Sequence, residues 1–465
     1  MPIHRKREEQ EMNELKDYKF SNYNHKIELE DKLYLYNAYS GGFCKLDDEF
    51  RDIISEISFE PEDDVNKLAE LPKFIISGLI KGSFIIDKGI DEFALIKEQH
   101  LLSRFCDTNS LGLTLIPTMG CNFRCSYCFE ADKCYPNDSM SDEVMDAIIQ
   151  LIDTRLKDNG YLSVAWFGGE PLLKMDIIRK MQKRMNEIAK RKNLVFGASI
   201  VTNGYAMTKE ISDELVELGI KGVQITVDGP QELHDSKRFL ANGKGTFNKI
   251  IENILACNSK LHISIRVNIE KDSLPLMPKF IDYLVEIGVN KKKNISVYFA
   301  IVRDYSSSNG VALCSCISVK EFAKEESKLN QMAHKKGLSI PEKINPNISL
   351  CSSLSPKGVV IEPDGTIQKC WGHVGESKSA VGNILEPTTS NTQYRINESK
   401  WYSWTGFDKK ECRECKILPL CMGGCPLHTM DDSLKDNFKC STYRYNLDTV
   451  LKLVALRHNE QAKNM

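Results

Sequence analysis

From residue 111 onward, short apolar runs alternate with amphipathic stretches. The runs are LGLTLIPT (111–118), LSVAWFGG (162–169), FGASIVTN (196–203), GVQITVDG (222–229), HISIRVNI (262–269) and ISVYFAIV (295–302). Segments such as SDEVMDAIIQLIDTRL (141–156) and SDELVELGI (212–220) lie between them and repeat apolar positions at helical spacing. Six strand–helix units of this kind predict a parallel sheet with right-handed crossovers. The expected fold class is α/β, a partial (β/α)6 barrel with its chemistry at the C-terminal ends of the strands.

The flanks read differently. In residues 1–108, KLYLYNAYSGGFCKL (32–46) predicts two strands around a Gly41-Gly42 turn. A helix is expected from Asp47 to Ile54 and another over 65–81, followed by a short strand in GSFIID (82–87). This hairpin-plus-helices pattern suggests a winged-helix-like module. From about 345 the helical periodicity fades, and glycines and cysteines punctuate the chain. A segment of that composition is expected to fold around metal. The expected divisions are 1–108, 109–344 and 345–465.

Composition narrows the class. With 42% hydrophobic and 27% charged residues, the chain fits a globular enzyme. A net charge of −2 provides no basic field for nucleic acid. No apolar run suits a signal peptide or a membrane span, so a cytoplasmic location is expected, with neither nucleic acid nor membrane as partner. Sixteen cysteines in a reducing compartment point to metal or redox work rather than disulfides.

The spacing of those cysteines says which. Cys121, Cys125 and Cys128 follow the first strand as C-x3-C-x2-C. Three thiolates can hold three irons of a cubane and leave the fourth open. A zinc knuckle is the alternative, but structural zinc takes four ligands in paired spacing. Further on, Gly168-Gly169-Glu170-Pro171 ends the second strand, Thr202-Asn203-Gly204 the third and Asp228-Gly229-Pro230 the fourth, and HDSKR (234–238) follows. Taken singly, each has an ordinary reading: turn glycines, Asp228 as a helix cap, Arg238 as a solvated charge.

Together, in order, the triplet with Tyr127 and these strand ends resemble the radical S-adenosylmethionine (SAM) superfamily. The resemblance implies that the triplet binds a [4Fe–4S] cluster whose open iron chelates SAM. It implies SAM contacts from Tyr127, Phe129, Gly168, Gly169, Glu170, Pro171, Thr202, Asn203, Asp228 and Arg238, and from Arg266 and Asn268 on the fifth strand. The glycines would let the backbone approach SAM closely. Glu170 would face its ammonium and Arg238 its carboxylate.

The seven later cysteines resemble a SPASM domain, which carries two further [4Fe–4S] clusters. Family ligation would give Cys351, Cys370 and Cys425 to auxiliary I, and Cys412, Cys415, Cys421 and Cys440 to auxiliary II. A pair of zinc sites is the competing reading. One iron of auxiliary I is left without an assigned protein ligand; it could take a substrate thiolate, or Cys314 or Cys316 could close it. Cys44, Cys106, Cys134 and Cys257 read as ordinary packed thiols.

The three-part layout resembles the peptide maturases of ribosomally made natural products. It implies a precursor peptide whose leader binds the N-terminal module by strand pairing, and a reductant such as flavodoxin or ferredoxin. The rival reading of that module is a structural layer against the barrel. Thioether crosslinking is the expected reaction. Carbon–carbon crosslinking, formylglycine formation on a sulfatase, and a non-enzymatic iron–sulfur scaffold are the alternatives.

Overall fold

The structure is a computed structural model that describes residues 15–46, 48–128, 130, 138–303, 317–340, 344–347, 351–386, 391–430 and 439–463. Phe129, Cys134, Cys314 and Cys316 lie outside the described residues.

The N-terminal part begins with β1 (Tyr18–Phe20), β2 (Asn24–Leu29), β3 (Lys32–Asn37) and β4 (Phe43–Lys45), and β5 (Ile85–Asp87) follows later. β3 and β4 are the expected pair around Gly41, which sits at φ 74°. Pattern reading missed β2, because NHKIEL alternates weakly. It hairpins onto β3 through Glu30 and Asp31, both at positive φ, as a tight twisted turn requires. The single helix expected over 65–81 is two pieces, a 3-10 turn Val65–Glu70 and a helix Lys73–Lys81. Pro72 lies between them and lacks the N–H a continuous helix needs.

β3 is buried on both faces, and its alternation shows why. Leu33 and Leu35 pack into the module's own core with Ile54, Leu68 and Ile85. Tyr34 and Tyr36 point the other way, into a core shared with Ile417, Leu418, Leu447 and Leu451. The Tyr36 hydroxyl donates to Ile344 O at 3.2 Å, and Asn459 Nδ2 donates to the Tyr34 hydroxyl at 2.8 Å. The layer therefore packs on the C-terminal part rather than on the barrel.

The six predicted runs become β6 (Ser110–Leu115), β7 (Tyr161–Trp166), β8 (Val195–Thr202), β9 (Ile220–Thr226), β10 (His262–Ile269) and β11 (Ile295–Ile301), paired in sequence and parallel throughout. One face of each strand, including Leu113, Val164, Ile200, Val223, Ile265 and Val297, packs under the helices in a single large core. The other face presents Thr114, Ser199, Gln224, Arg266, Asn268 and Tyr298.

The sheet does not stop at six strands. β12 (Gly358–Ile361) pairs parallel to β6, with Gly358 opposite Gly112 and Ile361 opposite Leu115. β13 (Thr366–Gln368) and β14 (Gly382–Asn383) extend it antiparallel to nine strands. The last part also carries the helix Tyr443–Lys463. It is therefore less irregular than its fading periodicity suggested.

Arg104, at the end of the helix Glu92–Phe105, joins the parts. The residue is 2% exposed, and its guanidinium donates to Leu354 O and Tyr402 O at 2.9 Å, Trp404 O at 3.2 Å and Trp401 O at 3.3 Å. Truncation would strand these buried acceptors. We expect Arg104→Met to cost about 3 kcal/mol, read as a lower urea midpoint for unfolding.

Candidate functional site

The loop carrying the thiol triplet is held on three sides. Strand-like backbone bonds tie it to the segment around Arg238: Arg124 N donates to Phe239 O at 2.8 Å, Ser126 N to Lys237 O at 3.0 Å, and Ala241 N to Asn122 O at 2.9 Å. Below, Glu170 N donates to Gly120 O at 2.9 Å. At the side, Asn203 Nδ2 donates to Asn122 Oδ1 at 2.7 Å. A Cβ on Gly169 would lie 2.3 Å from the carbonyl oxygens of Met119 and Gly120. The absent side chain thus makes room for the protein's own loop, where the sequence reading had expected room for SAM. Gly168, at φ 119°, is likewise crowded by Ile116 and Thr118.

Glu170 is fully buried. Its Oε1 accepts from Leu172 N at 3.0 Å and Thr202 Oγ1 at 2.6 Å, and its Oε2 from Asn203 N at 2.7 Å. It thereby caps the 3-10 turn that opens at Pro171 and fastens the end of β7 to the end of β8. Burial raises its pKa while these three donors oppose the shift.

Four further predicted residues meet at one atom. The Tyr127 hydroxyl donates to Asp228 Oδ2, accepts from Arg238 Nη1 at 2.9 Å and accepts from Asn268 Nδ2 at 3.2 Å. Arg266 Nε donates to Asn268 Oδ1 at 2.8 Å and completes the chain. Burial drives the Tyr127 phenol well above its ordinary range, so the hydroxyl keeps its proton. Arg238 Nε is buried and has no partner among the described residues. A buried donor left over beside an ion network suits a ligand carboxylate.

His234 was passed over in the sequence, although it opens the HDSKR segment. Its Nδ1 accepts from Asp228 N at 3.2 Å, and its Nε2 meets Thr246 Oγ1 at 3.1 Å. Thr246 Oγ1 in turn donates to Arg238 O at 2.6 Å. Burial holds the imidazole well below its ordinary pKa, hence neutral, as an Nδ1 acceptor must be. One side chain thus sets the backbone of both Asp228 and Arg238.

The described thiols lie near one another in three sets: Cys121, Cys125 and Cys128; Cys351, Cys370 and Cys425; and Cys412, Cys415, Cys421 and Cys440. Burial, with each other's proximity, pushes Cys121 and Cys128 up to about 12 and raises Cys125, where Arg238 opposes the shift. Burial also pushes Cys370 to about 12, with Cys351 and Cys425 adding to it. Cys412, Cys415, Cys421 and Cys440 line one cavity of about 400 Å³. Gly424, at φ 87°, lets this last group close, since its Cβ would stand 1.8 Å from Lys439 O. Among the described residues no three His, Cys, Asp or Glu side chains converge on a point for one metal ion.

Such a site, at the C-terminal ends of parallel strands, defines an enzyme that pairs a thiol-bound cluster with a carboxylate-bearing ligand. Residues 115–284 match the model of the radical SAM superfamily. The chain is 26% identical over 367 residues to the cysteine-type anaerobic sulfatase-maturating enzyme of Clostridium novyi, across 72% of this chain and 94% of that one. It is 22% identical over 455 residues to the radical SAM cyclopropyl synthase TigE of Paramaledivibacter caminithermalis, across 87% and 89%. Among solved structures, anSMEcpe with bound AdoMet matches with a TM-score of 0.57 at 22% identity, covering 77% of this chain and 96% of that one. Streptococcus suis SuiB bound to its precursor peptide SuiA matches with a TM-score of 0.50 at 14% identity, covering 90% and 100%. These structures share its fold. The chain carries a radical SAM domain at residues 115–284 and is an enzyme, with SAM and [4Fe–4S] as its cofactors. No helix among the described residues is long and apolar enough to cross a membrane.

Tyr127→Phe removes the atom that Asp228, Arg238 and Asn268 share. Hydrogen bonds to charged groups contribute about 1.5–3 kcal/mol. Equilibrium dialysis should show SAM bound roughly ten- to a hundredfold more weakly, with iron content unchanged.

Proposed function

We propose that this enzyme matures a ribosomally made precursor peptide by forming a cysteine thioether after hydrogen abstraction from a peptide carbon. Cys121, Cys125 and Cys128 would hold the SAM-binding cluster. Cys351, Cys370 and Cys425 would hold auxiliary I, and Cys412, Cys415, Cys421 and Cys440 auxiliary II. When bound, these groups supply one-electron chemistry that generates a 5′-deoxyadenosyl radical from SAM.

The observation that carries the reading is the place of the three-thiol group. Cys370 is followed by Trp371, whose Nε1 donates to Thr114 Oγ1 on β6 at 3.1 Å and whose ring meets Phe167 at 4.8 Å. Phe167 directly precedes Gly168. A thiol group with three described cysteines is thus linked through Trp371 to β6 and to the end of β7, next to Gly168. A peptide lying between them can present a carbon to one and a sulfur to the other. Arg238 Nε, Asp228 and Asn268 would fix SAM, and the Phe167–Trp371 pair would wall the space between. The reaction removes one hydrogen from carbon and one from sulfur and joins the two.

The sulfatase reading keeps a specific support, the likeness to cysteine-type maturases over nearly their whole length. The likeness in fold to SuiB, which was solved with a precursor peptide and covers 90% of this chain, supports a dedicated peptide. One experiment separates them. The reduced, cluster-loaded full chain is incubated with SAM and either cysteine-bearing peptides encoded beside its gene or a cysteine peptide from a sulfatase. We expect deoxyadenosine, a gene-neighbour peptide lighter by two hydrogens, and loss of its reaction with iodoacetamide. A hydrazide-reactive aldehyde on the sulfatase peptide instead would establish the second reading. Deoxyadenosine from a Cys121→Ala, Cys125→Ala, Cys128→Ala chain would refute the cluster assignment.

We also propose that the leader pairs with β4. Gly42 O accepts from Asn37 N and Leu46 N donates to Leu33 O, both at 2.9 Å, so alternation turns the backbone groups of Phe43 and Lys45 outward. Lys45→Pro should weaken binding of the full precursor about tenfold and leave a leaderless peptide unaffected, measured by fluorescence anisotropy. Equal effects on both would make the module structural.

A further inference from the structure

β11 stands at one end of the nine-stranded sheet, so only one of its sides is bonded to another strand. Ile263 N donates to Asn294 O at 2.8 Å and Val302 N to Ile269 O at 3.2 Å. Alternation then turns the backbone groups of Tyr298 and Ala300 toward β10, and those of Val297, Phe299 and Ile301 away from it. Val297 N donates to Ser339 O at 2.8 Å, so the chain covers its own edge at that point. Among the described residues nothing bonds to the N–H or C=O of Phe299 or Ile301. Both residues are buried, at 4% and 9% exposure. Backbone polar groups so placed are ordinarily paired.

Phe299 opens on a cavity of about 170 Å³ between β11, the helix Val319–Lys335 and the helix Tyr443–Lys463. Tyr298, Ile344, Tyr443, Leu453 and Arg457 are among its walls. A cavity of about 150 Å³ holds a benzene-sized group, so this one has room for a side chain of an added strand. The cavity lies between two sites described above. On one side, Ala300 stands beside Asn268 in register, and Asn268 donates to the Tyr127 hydroxyl. On the other, Ile344 O accepts from Tyr36 of β3, the strand that pairs with β4.

We infer, resting on the peptide-maturing reading above, that the segment of the substrate to be modified adds as an extended strand to the open edge of β11 and pairs with Phe299 and Ile301. Strand addition draws its affinity from main-chain hydrogen bonds. The added strand lies about 4.8 Å beyond β11, at the end of the sheet that carries the ion network around Tyr127. Ala300 shares the inner face with Tyr298 and sends only a methyl group there, so a side chain of the added strand meets little on its way toward Asn268. The substrate class follows. The segment is extended, and it has no proline at either residue that donates to Phe299 O or Ile301 O. Those residues are two positions apart, whichever way the strand runs.

The test follows hydrogen–deuterium exchange in the cluster-loaded, SAM-bound full chain, read by mass spectrometry to single residues. The probes are the cysteine-bearing peptides encoded beside its gene and the cysteine peptide from a sulfatase. Without peptide, the amides of Phe299 and Ile301 should exchange faster than those of Tyr298 and Ala300. The peptide that is converted should slow those two amides about tenfold and leave Tyr298 and Ala300 unchanged. N-methylation of one amide at a time along that peptide should weaken binding about tenfold at two residues spaced two apart, and little elsewhere. Conversion of either peptide with Phe299 and Ile301 unprotected, or an equal loss at every N-methylated residue, overturns the proposal. Protection that rises with protein concentration in the absence of peptide assigns the edge to a second copy and overturns it as well. Protection by the sulfatase peptide, with aldehyde formation, upholds pairing at β11 and overturns thioether formation instead.

Discussion

Everything at the radical site depends on how closely the backbone at Gly169 approaches the loop before Cys121. That contact allows no side chain, and it sets the height of the thiol loop above the strand ends. The bonds from Glu170 N and to Asn203 then fix its tilt, and the pairing with 237–241 closes its far side. Three thiols on a loop would ordinarily be mobile. Here the loop is tied to the ends of β7 and β8 and to residues 237–241, so the sulfurs are presented on a rigid frame.

The ion network follows from the same frame. Asp228 leaves β9, Asn268 stands on β10, and Arg238 sits just past the helix Gln231–Lys237. Tyr127 reaches them only because its loop is fastened to residues 237–241. A phenol that stays protonated can satisfy an acid and a base at once, and this lets a carboxylate and a guanidinium share a buried space without pairing directly. The guanidinium keeps one donor in reserve.

Much of this was legible in the sequence, for a local reason. The thiol spacing, the glycine pair and the six apolar runs are each encoded within a dozen residues, and the six runs become the six parallel strands. What was not legible depends on distant partners. The role of His234 needs Asp228 on one side and Thr246 on the other. The four residues of β12 are too short to show a period, and only β6 makes them a strand. β2 was obscured by weak alternation, and the break at Pro72 by the apolar residues around it. The SPASM-like cysteines were readable by spacing, while the sheet and helix that carry them were not.

The two faces of β3 have a consequence for how the chain is made. Leu33 and Leu35 find their neighbours within the first hundred residues, but Tyr34 and Tyr36 must wait for partners near 344, 418 and 459. During synthesis the N-terminal sheet therefore emerges with a tyrosine-rich side bare until almost the whole polypeptide has left the ribosome. Contacts that span more than four hundred positions close slowly, and an uncovered aromatic face in the interval invites association with other nascent chains. Chaperone demand, rather than final stability, would then limit how much of this protein a cell accumulates.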